Sequence, residues 1–130
     1  MASPLEIRPA SREEIAAFIG EWAPMMIEAD LAIDDAKIIG MGGFAEKFGR
    51  RWVVLDVEPE LAAKGFGFQA VRAMRRRLLA AREEIFVQCR GGSAERLLRV
   101  LGFQRTDEEM IDLRDGVTRL NIWKWRAAHG

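Results

Sequence analysis

The segment Leu55-Asp56-Val57-Glu58-Pro59-Glu60-Leu61-Ala62-Ala63-Lys64-Gly65-Phe66-Gly67 runs from an apolar strand through a proline turn into a pair of glycines, and a regular helix follows at once. Glycine has no Cβ to crowd a bound group, and the first turn of a helix leaves its N–H groups unpaired at the positive end of the helix dipole. That order suits the binding of an anion such as a pyrophosphate. The plain alternative is a tight strand-to-helix turn with no ligand. Asp56 and Glu58 stand at the strand end, where a carboxylate can serve as a base; most carboxylates in such places are solvated rim residues. Cys89 is read as a buried, inert thiol, because no histidine except the terminal His129 is available to activate it. No metal site is expected.

The elements that must hold these residues can be read along the chain. Leu5 to Arg8 is a short strand, and Ser11 with Glu14 forms a capping box that opens a helix through Ile15, Phe18 and Ile19, ended by Gly20 or Pro24. Met25-Met26-Ile27 is ambiguous. Asp30 to Ile33 and Lys37 to Phe44 read as a hairpin turning at Asp34-Asp35. Gly40, Gly42 and Gly43 weaken its second strand and mark a bulge or a close approach to the backbone. After a turn at Lys47-Phe48-Gly49-Arg50, Arg51 to Val57 is mostly apolar and so central in the sheet.

From Gly67, the residues Val71, Met74, Leu78 and Ala81 make one face of an amphipathic helix. Ile85 to Cys89 is a fifth strand. Ser93 is the expected N-cap of a helix that buries Ala94, Leu97, Leu98 and Leu101 and stops at Gly102. Met110 to Leu113 and Val117 to Trp125 close the chain as a hairpin through Asp115-Gly116. The succession of strands and helices gives a mixed α/β (α+β) architecture.

At 130 residues the chain is one domain, 1–130. Twenty basic and twenty acidic residues cancel, so no net charge draws the molecule to nucleic acid or to an anionic membrane. One cysteine excludes an internal disulfide, the N-terminus has no basic start or apolar run, and the apolar stretches fall far short of the ~20 residues of a spanning helix. Cytoplasmic residence is the default expectation, with no membrane partner.

Leu55-x-Val57-x-Pro59 followed by Lys64-Gly65-Phe66-Gly67 resembles the strand and the R/Q-x-x-G-x-G/A pyrophosphate loop of the GNAT superfamily of N-acetyltransferases. Ala94-x-x-Leu97-Leu98-x-x-x-Gly102-Phe103 is similar to that family's late helix and its terminal Gly-Phe pair. The resemblance covers nearly the whole chain. It implies a mostly antiparallel sheet of about seven strands, helices on both faces, and a V-shaped splay between the fourth and fifth strands. It also implies acetyl-CoA as co-substrate and an amine of a small molecule or a protein as acceptor. The diphosphate would be received around Ala62, Ala63, Lys64, Gly65, Phe66, Gly67 and Phe68, and the pantetheine arm along Leu55, Asp56 and Val57. Ser93 and Leu98, on the late helix, would complete the cofactor surface.

The sequence departs from that pattern at the positions that carry chemistry. The basic or amide residue that opens the loop corresponds to Ala62, leaving Lys64 as the side chain that would compensate. The tyrosine that often protonates the leaving thiol corresponds to Leu98, in a chain without tyrosine, so an acid comes from elsewhere or is absent. The family's asparagine corresponds to Gly91, and the position of a glutamate base in some relatives corresponds to Arg51. Two readings therefore stand: an N-acetyltransferase, or a non-catalytic GNAT-like module such as a phage or prophage virion-associated protein.

Other residues have a bland reading beside a functional one. Arg72, Arg75, Arg76, Arg77 and Arg82 read first as a solvated helix face, with the CoA 3′-phosphate or a nucleic acid as the functional alternatives. Trp123 and Trp125 point to one side of the last strand, as core, as a homodimer contact or as a substrate wall. Trp22, Met25 and Met26 fall in the segment that lines the acceptor site in the family; apolar filling explains them equally well.

Overall fold

The computed structural model describes residues 5–89, 91–112 and 115–125, with the side chains of Glu21, Trp22, Ala62 and Ser93 excepted. Seven strands form one sheet: β1 Glu6–Pro9, β2 Met26–Asp34, β3 Lys37–Lys47, β4 Arg50–Val57, β5 Ile85–Cys89, β6 Gln104–Ile111 and β7 Arg119–Trp125. Their spatial order is β1-β2-β3-β4-β5-β7-β6, and every pairing is antiparallel except β4 with β5. Helices α1 (Arg12–Ile19), α2 (Pro59–Ala63), α3 (Gly67–Ala80) and α4 (Ser93–Leu101) and a 3₁₀ segment, Gly20–Met25, complete the chain.

Alternation along the strands sends residues to two faces. Phe44, Met74, Leu78, Ile85, Leu98 and Trp123 belong to the core under α3 and α4. On the opposite face Ile15 of α1 packs with Met26, Leu31, Met41 and Ala45. Trp123 and Trp125 do point to one side, and both are buried in the α3–α4 core. Met26 is 2% exposed and Met25 packs against the same cluster, so these two are apolar filling, while the side chain of Trp22 lies outside the described residues.

The Ser11 capping box forms: Ser11 Oγ accepts from the Glu14 N–H, and the Glu14 carboxylate accepts from the Ser11 N–H at 2.9 Å. Arg8 of β1 donates to the same carboxylate, which is held down to a pKa of about 2 by Arg8 first and the Ser11 amide second. Gly20 closes α1.

Several elements differ from the sequence reading. The first hairpin turns at Asp35-Ala36, both at positive φ, and Asp34 belongs to β2 opposite Lys37. β2 begins four residues earlier than Asp30, at Met26, because a register shift at Met26/Glu28 lets the strand continue past a bulge. Gly43 is what permits that bulge, since a Cβ there would lie 2.1 Å from the Glu28 carbonyl oxygen.

Gly92, at φ 69°, is the N-cap of α4, so Ser93 is the first helical residue instead of the cap. Glycine takes the left-handed conformation at little cost, and the chain turns one residue early. β6 starts at Gln104 and not at Met110; its exposed run of charged residues masks an edge strand that pairing with β7 holds in place. Leu113, the expected end of that strand, lies outside the described residues, as does His129. Arg77 leaves the solvated face expected for it: its guanidinium donates to Asp30 at 2.5 and 2.6 Å and pairs with Glu28 at 3.0 Å. Among the described residues no helix is long and apolar enough to cross a membrane.

Candidate functional site

β4 and β5 pair only at Arg51↔Ile85 and Trp52↔Phe86. Beyond those pairs β4 continues to Val57 and β5 to Cys89 without hydrogen-bonding to each other, which opens a fork at their C-terminal ends. β4 keeps its other neighbour, with Gly42↔Leu55, Met41↔Asp56 and Gly40↔Val57, and the Glu58 N–H still donates to Ile39 O at 2.8 Å. One edge of β4 is therefore free for a ligand to pair with main chain over Val53 to Val57.

The two walls of this edge have different chemistry. Leu55 and Val57 turn toward the α3 face, where their tips reach the space left by Gly42 and Gly40, yet they are 49% and 43% exposed. Exposed aliphatic side chains beside an unpaired strand edge suit a flexible apolar arm. Asp56 lies on the other face with its neighbour Met41, and is exposed, as is Glu58. The carboxylate that could take a proton is thus across the sheet from α3.

The turn leading into α3 distributes its amides unevenly. The Lys64 N–H donates to Glu60 O at 2.9 Å and the Phe66 N–H to Leu61 O at 3.0 Å, so these two are engaged. The N–H groups of Gly65, Gly67 and Phe68 have no acceptor among the described residues. Gly65 sits at φ 78°, and neither Gly65 nor Gly67 has an atom within 4 Å of where a Cβ would stand. What remains is an open set of donors at the start of a 14-residue helix, fewer than the whole Ala63 to Phe68 stretch.

Lys64 does not point a free ammonium at this turn. Its Nζ lies 2.5 Å from Asp34 Oδ2, a carboxylate whose side chain is 9% exposed, and that hydrogen bond raises the lysine pKa. Lys37 similarly reaches Glu60 of α2 at 2.7 Å. Phe68 is 71% exposed, with the Arg72 guanidinium 5.7 Å from its ring centre. Ala63 is exposed and Phe66 packs against Leu61, Ala32 and Ile39. The side chain of Ala62 lies outside the described residues.

On α4, Leu98 is 7% exposed and packed with Leu101, Phe103 and Trp123. The side chain of Ser93 lies outside the described residues. Cys89 is 3% exposed and its Sγ accepts from the Gly91 N–H at 3.3 Å, which suits a packed thiol. The Trp123 Nε1–H is buried without a hydrogen-bond partner among the described residues. Among the described residues no group of three His, Cys, Asp or Glu is arranged to hold a metal ion.

Neither of two recesses among the described residues is a ready-made cofactor cavity. One of about 30 Å³ lies between α3 and the sheet, beneath Gly40, Gly42, Leu55 and Val57, room for about a single water. The other, about 440 Å³, lies at the far end of β4 by Arg51, Arg77 and Arg82. There Arg51 is paired with Glu83 and Arg77 with Glu28 and Asp30. The fork and the amides of the α3 turn form an open groove, and a bound molecule would lie along it.

Asp34 and Glu60, which pair with Lys64 and Lys37 beside the turn, carry no local signal of that role. Asp34 looked like an ordinary turn residue, and its partner is 30 residues away, beyond the reach of any local pattern.

No family model matches the chain, and no curated protein does. Solved structures do. A GNAT family acetyltransferase from Bacillus cereus ATCC 10987 superposes with a TM-score of 0.68 at 14% identity, covering 98% of this chain and 100% of that one. The Salmonella typhimurium yncA structure, with its cofactor acetyl-CoA, gives 0.70 at 16% identity over 98% and 96%. A GNAT family acetyltransferase from Elizabethkingia anophelis with acetyl-CoA bound gives 0.62 at 16% identity over 94% and 97%. At such identities the likeness establishes the fold: this chain has the mixed seven-stranded fold of the GNAT acetyltransferases over nearly its full length.

Proposed function

We propose that this GNAT-fold chain binds acetyl-CoA along the β4 edge and the α3 turn and transfers the acetyl group to an amine. The observation that carries the reading is the fork: strand pairing stops at Trp52/Phe86 and leaves the β4 edge, Leu55 and Val57 open beside the unengaged amides of Gly65, Gly67 and Phe68. Each part meets a need of the cofactor. Backbone N–H groups at a helix start suit a diphosphate, and an unpaired strand edge suits the amides of a pantetheine arm by the logic of strand addition.

The thioester would then lie at the fork, with the acceptor amine approaching from the Asp56 face. Attack requires the neutral amine, whose nitrogen forms the new amide bond as the C–S bond breaks; the amine proton goes to a base or to water and the thiolate acquires a proton. Asp56 and Glu58 are the carboxylates at hand for the base. Main-chain donors that face the developing oxyanion would supply its stabilisation.

A second reading, an acyl-CoA-binding module without turnover, is favoured by Leu98. Its side chain is packed into the core at the position that the family resemblance matches to an often-present tyrosine acid, in a chain that has no tyrosine. Calorimetry with CoA and acetyl-CoA tests the binding, and release of free thiol in the presence of an amine panel tests the transfer. Tight binding without thiol release selects the second reading; no binding of either ligand removes both.

A further inference from the structure

The chain between β4 and α3 is fixed to the β2–β3 hairpin at three points. Leu61 of α2 is 4% exposed and packs with Ala32 and Ile39, one from each strand of that hairpin. Glu60 takes Lys37 at 2.7 Å on the surface. Lys64 crosses to Asp34 at 2.5 Å, and its own N–H is already closed onto Glu60 O. Residue 64 is thus held by both its main chain and its side chain, one position before Gly65.

Asp34 is the unusual member of this set. Its carboxylate is almost fully covered, and a covered carboxylate demands a cation, since leaving it unpaired is costly. The lysine next to the turn answers that demand, its ammonium reaching Asp34 while its side chain stays half exposed. Two consequences follow from the geometry. The Lys64 charge is neutralised by an internal partner, and the backbone leaving residue 64 is oriented before any ligand arrives, which spares binding the cost of ordering it.

We infer that Asp34 is a positioning residue for the anion-binding turn: it anchors Lys64 so that the amides of Gly65, Gly67 and Phe68 stay presented, and Lys64 acts through that anchor instead of by touching phosphate. The inference rests on the acetyl-CoA reading above. It adds that an element remote in sequence, the end of the first hairpin, sets the affinity for the diphosphate part of the ligand.

The test measures CoA and pantetheine, which lacks the diphosphate, by calorimetry against the full chain and its Asp34→Asn, Lys64→Met, double and Glu60→Gln variants. Circular dichroism and thermal melting monitor the fold. Wild-type failure to bind CoA would remove the acetyl-CoA reading itself. Given wild-type binding, Asp34→Asn and Lys64→Met should each weaken CoA by about tenfold, with the double variant no worse than either, because both break one anchor. Pantetheine affinity should stay unchanged. Glu60→Gln, which loosens only the exposed strap and leaves the core intact, should weaken CoA by about twofold to threefold, which keeps the inference testable if Asp34→Asn fails to fold. Three results would overturn it: Asp34→Asn or Glu60→Gln binding CoA as the wild type does; Lys64→Met losing affinity while Asp34→Asn keeps it, which makes Lys64 a direct phosphate contact; or equal losses for CoA and pantetheine, which makes the anchor a matter of general stability.

Discussion

Two strands of this sheet end in a glycine-bearing turn that launches a helix, and the turns differ in what their amides do. After β4, Gly65 stands at φ 78° and the N–H groups of Gly65, Gly67 and Phe68 find no acceptor among the described residues. After β5, Gly91 and Gly92 stand at 99° and 69°, but the Gly91 N–H donates to Cys89 Sγ and the Glu95 N–H closes onto Gly92 O. The first turn carries α2 and is tied to a distant hairpin. The second closes its Gly91 and Glu95 amides onto near neighbours in sequence, and its helix buries Leu98 and Leu101. Glycine content alone does not decide which amides are engaged; the position of the chain's own acceptors does.

The largest effect expected from this contrast is on stability, and it belongs to the second region. Leu98→Ala should cost about 2–5 kcal/mol, the range for emptying a packed leucine site, while CoA affinity in the folded fraction changes little. Denaturant unfolding alongside calorimetry checks both, and a large affinity loss without destabilisation would make Leu98 a ligand contact after all.

Gly65→Val should show the reverse pattern. The added side chain has open space around it, so its cost comes from the positive φ, about 1–2 kcal/mol of stability. CoA binding should fall by about tenfold to a hundredfold, since one charge-assisted hydrogen bond is worth roughly 1.5–3 kcal/mol. Gly92→Val carries the same kind of strain at the second turn, and its effect on CoA should stay within about threefold. Equal losses for the two variants would erase the distinction drawn between the turns.

The smallest effect lies away from both turns and serves as a control. The Glu14 carboxyl is lowered from its ordinary 4.5 to about 2 by Arg8 and the Ser11 amide. Its contribution to stability is present above pH 4.5 and is lost as pH falls through about 2. Glu14→Gln should flatten the acid side of the stability profile in that window, followed by unfolding at a series of pH values. A variant that kept the wild-type slope would show that the Arg8–Glu14–Ser11 cluster contributes no pH dependence.

The strand, glycine pair and long helix of residues 55 to 80 were legible because each is a local signal, apolar alternation, a missing Cβ and a 3.6-residue period, whereas the short α2 at Pro59–Ala63 read only as a proline turn. The Ser11–Glu14 box was legible for the same reason. The closing hairpin was legible at Met110 and Ile111, but the start of β6 was not, since the polar residues from Gln104 to Glu109 carry no apolar pattern and only the ladder with β7 makes them a strand. The bulge that Gly43 allows was only half visible. The sequence marked an unusual place, but the Glu28 carbonyl that fills it comes from another strand.

The residues by themselves determined that a helix would begin just after a flexible glycine turn, because backbone freedom and helix propensity act within a few positions of the chain. Tertiary structure decided which amides at that turn stay open, that Lys64 is committed to Asp34, and that the neighbouring strands part after two pairs. Those outcomes depend on which acceptors and counter-charges the fold brings close from far along the chain, and Coulomb and hydrogen-bond energies are set by distance in space, not by separation in sequence.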